Sequence, residues 1–141
     1  MKEKEFIFEL VVYLKDTNLF GNAYFASYFD WQGKAREEFF RKIIGGEKSF
    51  LTTGIKLVTI EASMQYKKEV TLFDEVQVRL RVDNIKVATF ELFFTYINKK
   101  TSDIIATGKQ KIGFADSSYN VIPIPEEMKI GWAKLQQSDL E

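Results

Sequence analysis

The sequence predicts an α+β domain, and three observations predict it. A strand-forming run at residues 5–14 opens the chain. A helix-compatible stretch from Ala23 to about Ile44 follows, free of Pro and with Gly33 as its interior glycine. Four further stretches rich in Val, Ile, Thr, Phe and Tyr come after it. A lone long helix has to bury its apolar face on the sheet that follows, which is the α+β solution.

The elements read in order. Phe6, Ile7, Phe8, Val11, Val12 and Tyr13 make the first stretch a strand. Asp16-Thr17-Asn18 and Gly21-Asn22 mark a loop. Gly45-Gly46 stops the helix, as glycines past a helix end commonly do. Strands are expected near 54–67, 74–85, 87–98 and 103–115. Asp83-Asn84-Ile85-Lys86 reads as a hairpin link, and Asn98 to Asp103 as a second tight turn. Pro123 and Pro125 interrupt the tail, leaving Glu126 to Gln137 as a short amphipathic helix. No repeat or linker divides the 141 residues, so one domain over 1–141 is expected.

Composition removes whole classes of chemistry. Lys and Arg number 20, as do Asp and Glu, so no net field draws the chain to nucleic acid or to an anionic membrane. The absence of Cys excludes disulfides, thiolate nucleophiles and cysteine zinc sites. With no His, a Ser-His-Asp triad, a His base and a His-metal site are excluded as well. Carboxylates, amides, hydroxyls, Arg, Lys and backbone dipoles remain. Met1 to Glu5 is charged and runs straight into Phe6-Ile7-Phe8, unlike a signal peptide, and no apolar run is long enough to span a membrane. The expected location is the cytoplasm.

A helical wheel over 24–44 places Tyr24, Phe25, Tyr28, Phe29, Ala35, Phe39, Phe40, Ile43 and Ile44 on an apolar arc of about 200°. Asp30, Lys34, Glu37 and Arg41 form a solvated stripe opposite, with Glu37–Arg41 as an i,i+4 pair. Gln32 and Arg36 break the pattern, because both fall in the middle of the apolar arc. A buried guanidinium needs partners. Two readings stand: a structural Arg tying helix to sheet or subunit to subunit, or a cation aimed into a ligand cavity. The loop before the helix delivers unpaired backbone N–H groups that suit an anion or a developing oxyanion. Asn22 reads equally well as a plain N-cap.

The string from Asp16-Thr17-Asn18-Leu19-Phe20-Gly21-Asn22-Ala23-Tyr24 through Tyr28 and Trp31, followed by Ala35-Arg36, resembles the hot-dog-fold thioesterases of the 4-hydroxybenzoyl-CoA type. Glu61 to Tyr66 and Asp74 to Val78 also fit that fold's second strand and the turn into its third. The resemblance implies a five-stranded antiparallel sheet wrapped around one long helix, assembled as a homodimer or homotetramer with sites at the subunit interface. It further implies acyl thioesters of coenzyme A or acyl carrier protein as substrates, and no metal or organic cofactor.

Asn18 departs from the pattern, since most such enzymes carry an Asp there. An amide is neither nucleophile nor base. Asn18 with Asn22-Ala23-Tyr24-Phe25, Tyr28, Trp31-Gln32-Gly33 and Arg36-Glu37 is most similar to the enediyne polyketide-biosynthesis thioesterases, which also lack the carboxylate and release β-keto acyl chains. The implied site has Asn18, Asn22, Ala23, Tyr24, Tyr28 and Arg36 as catalytic residues, with backbone N–H groups near Asn22, Ala23 and Tyr24 polarising the thioester carbonyl. Phe25, Gln32, Lys67 and Lys68 bind substrate. Lys99-Lys100 and Lys109/Lys111 are further candidates for phosphates or an acidic carrier, although Lys-rich strand edges also serve simply to discourage aggregation. The competing expectation is a hot-dog acyl-binding module that has lost catalysis at Asn18. A β-barrel carrier for an apolar ligand fits poorly with a long helix so early in the chain.

Overall fold

The computed structural model describes residues 4–44 and 54–137. Strands β1 (Phe6–Val11), β2 (Lys56–Tyr66), β3 (Glu75–Asp83), β4 (Thr89–Asn98) and β5 (Ile104–Ala115) form one antiparallel sheet in the order β1-β3-β4-β5-β2. Helix α1 (Ser27–Ile43) packs on its inner face, and α2 (Glu126–Gln137) closes against the far end of α1. This is the hot-dog arrangement expected from the sequence. Each expected strand is present within a few residues of its expected bounds, and Glu126–Gln137 is helical as read.

Period-two alternation builds the core. Val78, Leu80 and Val82 on β3 stand opposite Tyr96, Phe94 and Leu92 on β4, and all six are buried under α1. The intervening Gln77, Arg79, Arg81, Glu91 and Phe93 alternate with them on the other face of the sheet. At the sheet edge, β2 changes register between Thr59 and Glu61, a bulge that brings Thr59, Met64 and Tyr66 to the helix side.

α1 buries Tyr28, Trp31, Gln32, Ala35, Phe39, Phe40 and Ile43. The buried stripe is therefore rotated toward Trp31 relative to the expected arc, and Phe29 is left partly exposed. The helix also begins at Ser27 rather than Ala23. Ala23 N–H is drawn to the Val70 carbonyl at 2.8 Å and Tyr24 N–H to the Asp16 carbonyl at 2.8 Å, so neighbouring loops hold this segment extended. Asn22 is consequently not the N-cap; that position belongs to Ala26, which supplies no side-chain cap.

On the solvated stripe Asp30 pairs with Lys34 at 3.2 Å, but Arg41 pairs with Glu38 at 2.9 Å instead of with Glu37. Gly131 lets α2 approach the end of α1, because a Cβ there would run into the Ile43 carbonyl. The expected stop at Gly45-Gly46 lies outside the described residues. Among the described residues, no helix is long and apolar enough to cross a membrane.

Candidate active site

A cleft of about 300 Å³ opens where the loop before α1 meets the end of β2. Asn18, Asn22, Ala23, Phe25 and Tyr28 line it from the loop and first helical turn; Tyr66, Lys67, Lys68 and Glu69 line it from the strand end. The loop is pinned from inside. Buried Asp16 accepts Tyr13 N–H at 2.9 Å on its carboxylate, while its carbonyl accepts Tyr24 N–H and the Ser27 hydroxyl at 2.9 Å. Asn22 is tied to Asn18, its carbonyl accepting Asn18 N–H at 2.9 Å.

The Asn18 side chain has a defined polarity. Its Oδ1 accepts Phe20 N–H at 2.9 Å, an Asx-type turn that fixes which end of the amide is which. Nδ2, a pure donor, has no acceptor among the described residues. Asn18 is thus equipped to donate to an oxygen in the cleft.

Tyr28 stands one residue into α1, its ring against Trp31, Tyr66 and Tyr96 at centroid distances of 4.8, 5.0 and 5.8 Å. Burial, with smaller contributions from Tyr66 and Glu69, pushes its phenol up to about 12. It is a neutral donor at physiological pH, not a base. Two tyrosines clamp the helix entrance: Tyr66 Oη donates to the Phe25 carbonyl at 2.8 Å, and Tyr96 Oη donates to the Tyr28 carbonyl at 2.9 Å. Burial raises the Tyr96 hydroxyl strongly as well.

The backbone donors differ from those expected. Ala23 and Tyr24 N–H groups are occupied by Val70 and Asp16. The free ones sit later, at Phe25 just before the N-cap and at Tyr28 in the first helical turn, and neither has an acceptor among the described residues. Tyr24 lies outside the cleft lining, about half exposed, with its ring on Phe25 at 4.7 Å.

Gln32 and Arg36 are not brought to this cleft. Gln32 is fully buried, its amide bonded to Gln110, to the Ser63 carbonyl and to Met64 Sδ. Arg36 lies about 12 Å further along α1 than Tyr28. It borders a separate open concavity with Phe8, Phe29 and Gly33.

Of the lysines, Lys67 and Lys68 flank the cleft, and Lys68 pairs with Asp103 at 3.3 Å. Lys99 pairs with Glu9 at 3.1 Å, and Lys109 with Glu91 at 3.6 Å; neither lines the cleft. Sequence reasoning missed Tyr66 and Glu69. Alternation along β2 would have placed Tyr66 on the helix side with Met64, but nothing local marks Glu69. A smaller apolar void of about 40 Å³ under α2, lined by Phe39, Ile43, Phe90, Met128 and Trp132 among others, has no chemistry. Among the described residues, no cluster of three acidic side chains could hold a metal ion.

A helix entrance with free N–H groups, a donating amide and a neutral phenol around one cleft is equipped to stabilise negative charge on an acyl oxygen. The sequence profile of the thioesterase-like superfamily matches residues 12–131, and the chain belongs to that superfamily. Solved structures similar to it include the dynemicin thioesterase, at 28% identity and TM-score 0.85 over 93% of this chain and 96% of that one. A 1,4-dihydroxy-2-naphthoyl-CoA thioesterase from Synechocystis is similar at 18% identity and TM-score 0.85, covering 93% and 97%. A Staphylococcus aureus protein solved in complex with CoA gives 16% identity and TM-score 0.88, covering 100% and 89%. The resemblance read from Asp16 to Arg36, to hot-dog thioesterases and to the enediyne type among them, is borne out. No protein of curated function matches the chain in sequence.

Proposed function

We propose that this single domain is a cytoplasmic thioesterase that hydrolyses an acyl thioester, with a β-keto acyl chain as the favoured substrate, carried on coenzyme A or acyl carrier protein. The observation that carries the reading is Asn18, whose amide is oriented by Phe20 N–H so that Nδ2 is available in the cleft. The thioester carbonyl sits against Asn18 Nδ2, the free N–H groups of Phe25 and Tyr28, and the Tyr28 hydroxyl. These donors strengthen as charge develops on that oxygen. Asn22 and Phe25 form the wall beside it. The similarity to the dynemicin thioesterase supports a polyketide-type chain, and the CoA complex of a structural neighbour supports a nucleotide carrier.

Glu69 is the one carboxylate among the cleft-lining residues. It takes a proton from water as the water oxygen bonds to the carbonyl carbon. The tetrahedral intermediate collapses, the C–S bond breaks, and the thiolate recovers that proton from Glu69. No acyl-enzyme forms. Lys67 and Lys68 face the carrier's phosphates. Arg36, outside its own chain's cleft, meets the acyl chain across an interface in a homodimer or homotetramer.

The test is direct. Purified protein is offered matched coenzyme A and carrier-protein thioesters, with and without a β-keto group, and thiol release is followed with mass spectrometry of the acid. Release from none of them overturns the reading. The second reading, a non-catalytic acyl-binding module, is favoured by the missing Asp alone. It predicts binding without turnover, and a large gain of activity in Asn18→Asp.

A further inference from the structure

The buried side of α1 carries a second polar arrangement that the cleft does not use. Arg36 Nη1 donates to Gln110 Oε1 at 3.0 Å and to Thr59 Oγ1 at 2.6 Å. Gln110 Nε2 donates to Gln32 Oε1 at 2.7 Å, and Gln32 Nε2 donates to the Ser63 carbonyl at 3.2 Å. Gln32 is fully buried and Gln110 is 5% exposed.

The ends of this chain dictate its direction. A guanidinium only donates and a carbonyl only accepts. Gln110 must therefore offer its oxygen to Arg36, which turns its NH2 to Gln32, which in turn turns its own NH2 to Ser63. Flipping either amide sets donor against donor in a buried place. Gly108 keeps the room, because a Cβ there would overlap Gln32 Nε2 and lie 2.8 Å from Met64 Sδ.

The donor count of Arg36 is informative. Both Nη1 hydrogens are taken, and Nε reaches Glu37 Oε2 at 3.3 Å, a contact to a side chain that is itself 70% exposed. The guanidinium also lies over the Phe40 ring at 5.8 Å. The two Nη2 hydrogens have no acceptor among the described residues, on a side chain that is 18% exposed and borders the concavity with Phe29 and Gly33.

We propose that Gln110 is a positioning residue: backed by Gln32 and the Ser63 carbonyl, it locks the Nη1 side of Arg36 so that the Nη2 edge is held out as a fixed two-donor site for a ketone or carboxylate oxygen. The identity of that ligand rests on the thioesterase reading; the lock does not.

The experiment has one arm for each. In the first, nitrogen-15 NMR follows rotation about the Arg36 Cζ–Nη bonds, with the signal assigned by Arg36→Lys. Rotation is slow in the wild type and about tenfold or more faster in Gln110→Met, the loss expected from one hydrogen bond to a charged group. Gln110→Glu, which keeps an acceptor for Nη1, stays slow. If Gln110→Met does not fold, Gln110→Asn withdraws the same amide by one carbon and gives the same acceleration. In the second arm, the preference for a β-keto over a saturated thioester falls by about tenfold in Gln110→Met, and Gln110→Met adds nothing in an Arg36→Leu background. Wild-type Arg36 rotating as fast as exposed Arg81 overturns the lock. Preserved β-keto preference in a loosened variant overturns the positioning role. A lock that behaves as described in a protein that cleaves no thioester leaves the lock standing and removes the thioesterase reading.

Discussion

Two stretches of α1 treat polar atoms in opposite ways. At the entrance, Asn18 Nδ2 and the N–H groups of Phe25 and Tyr28 are left without protein partners beside open space. Five residues past the helix start, the amides of Gln32 and Gln110 have all their polar ends tied among side chains and strand β2. Unsatisfied donors at a surface cleft cost little, because water serves them until a ligand arrives. Unsatisfied donors in the core cost about 1–3 kcal/mol each, so there the geometry must close on itself. The entrance is built to be completed by something else; the interior chain is built to specify one arrangement.

This contrast can be broken in graded steps. Asn18→Ala should lower kcat about a hundredfold, equivalent to about 2.7 kcal/mol, with the urea midpoint unchanged. A matching loss of stability would mean that Asn18 belongs with the interior group. Gln32→Leu should do the reverse, removing about 2 kcal/mol of folding stability by stranding Gln110 Nε2 and the Ser63 carbonyl, measured by urea denaturation. Glu69→Gln should slow hydrolysis about tenfold to a hundredfold without moving the midpoint, read from kcat and urea denaturation side by side.

Alkaline stability separates the regions further. Because burial raises the Tyr28 phenol to about 12, the folded state favours its neutral form. That contribution is complete below about pH 10, the ordinary tyrosine value, and is lost as pH climbs through about 12. Tyr28→Phe should therefore flatten the fall in thermal midpoint over that window. The smallest effect belongs to the solvated stripe. Arg41 holds the Glu38 carboxyl below its usual range, yet both are surface groups, and Glu38→Ala should change stability by about 0.5 kcal/mol or less.

Much of this molecule was legible in its sequence. The strands announced themselves through runs rich in Val, Ile, Thr, Phe and Tyr, and Gln32 and Arg36 stood out as polar residues on an apolar arc. What escaped were partners distant in sequence. The start of α1 moved to Ser27 because Val70 claims Ala23, and no local propensity carries that information. Gln110 and Thr59 complete the Arg36 arrangement from β5 and β2, at positions where a lone Gln or Thr in a strand signals nothing. Glu69 enters the cleft only because β2 ends there. The side chains that misfit locally were readable; the long-range contacts that explain them were not.

The strand order also sets a timetable for synthesis. β2 leaves the ribosome early, yet its hydrogen-bonding neighbour is β5, whose first residue follows the last of β2 by about forty positions. Throughout that interval β2 is present without its pairing partner, while β3 and β4 arrive to cover α1. A nascent chain of this kind cannot settle strand by strand. It must hold an unmatched strand until β5 arrives, so a premature stop before Ile104 would release a product in which β2 has no neighbour.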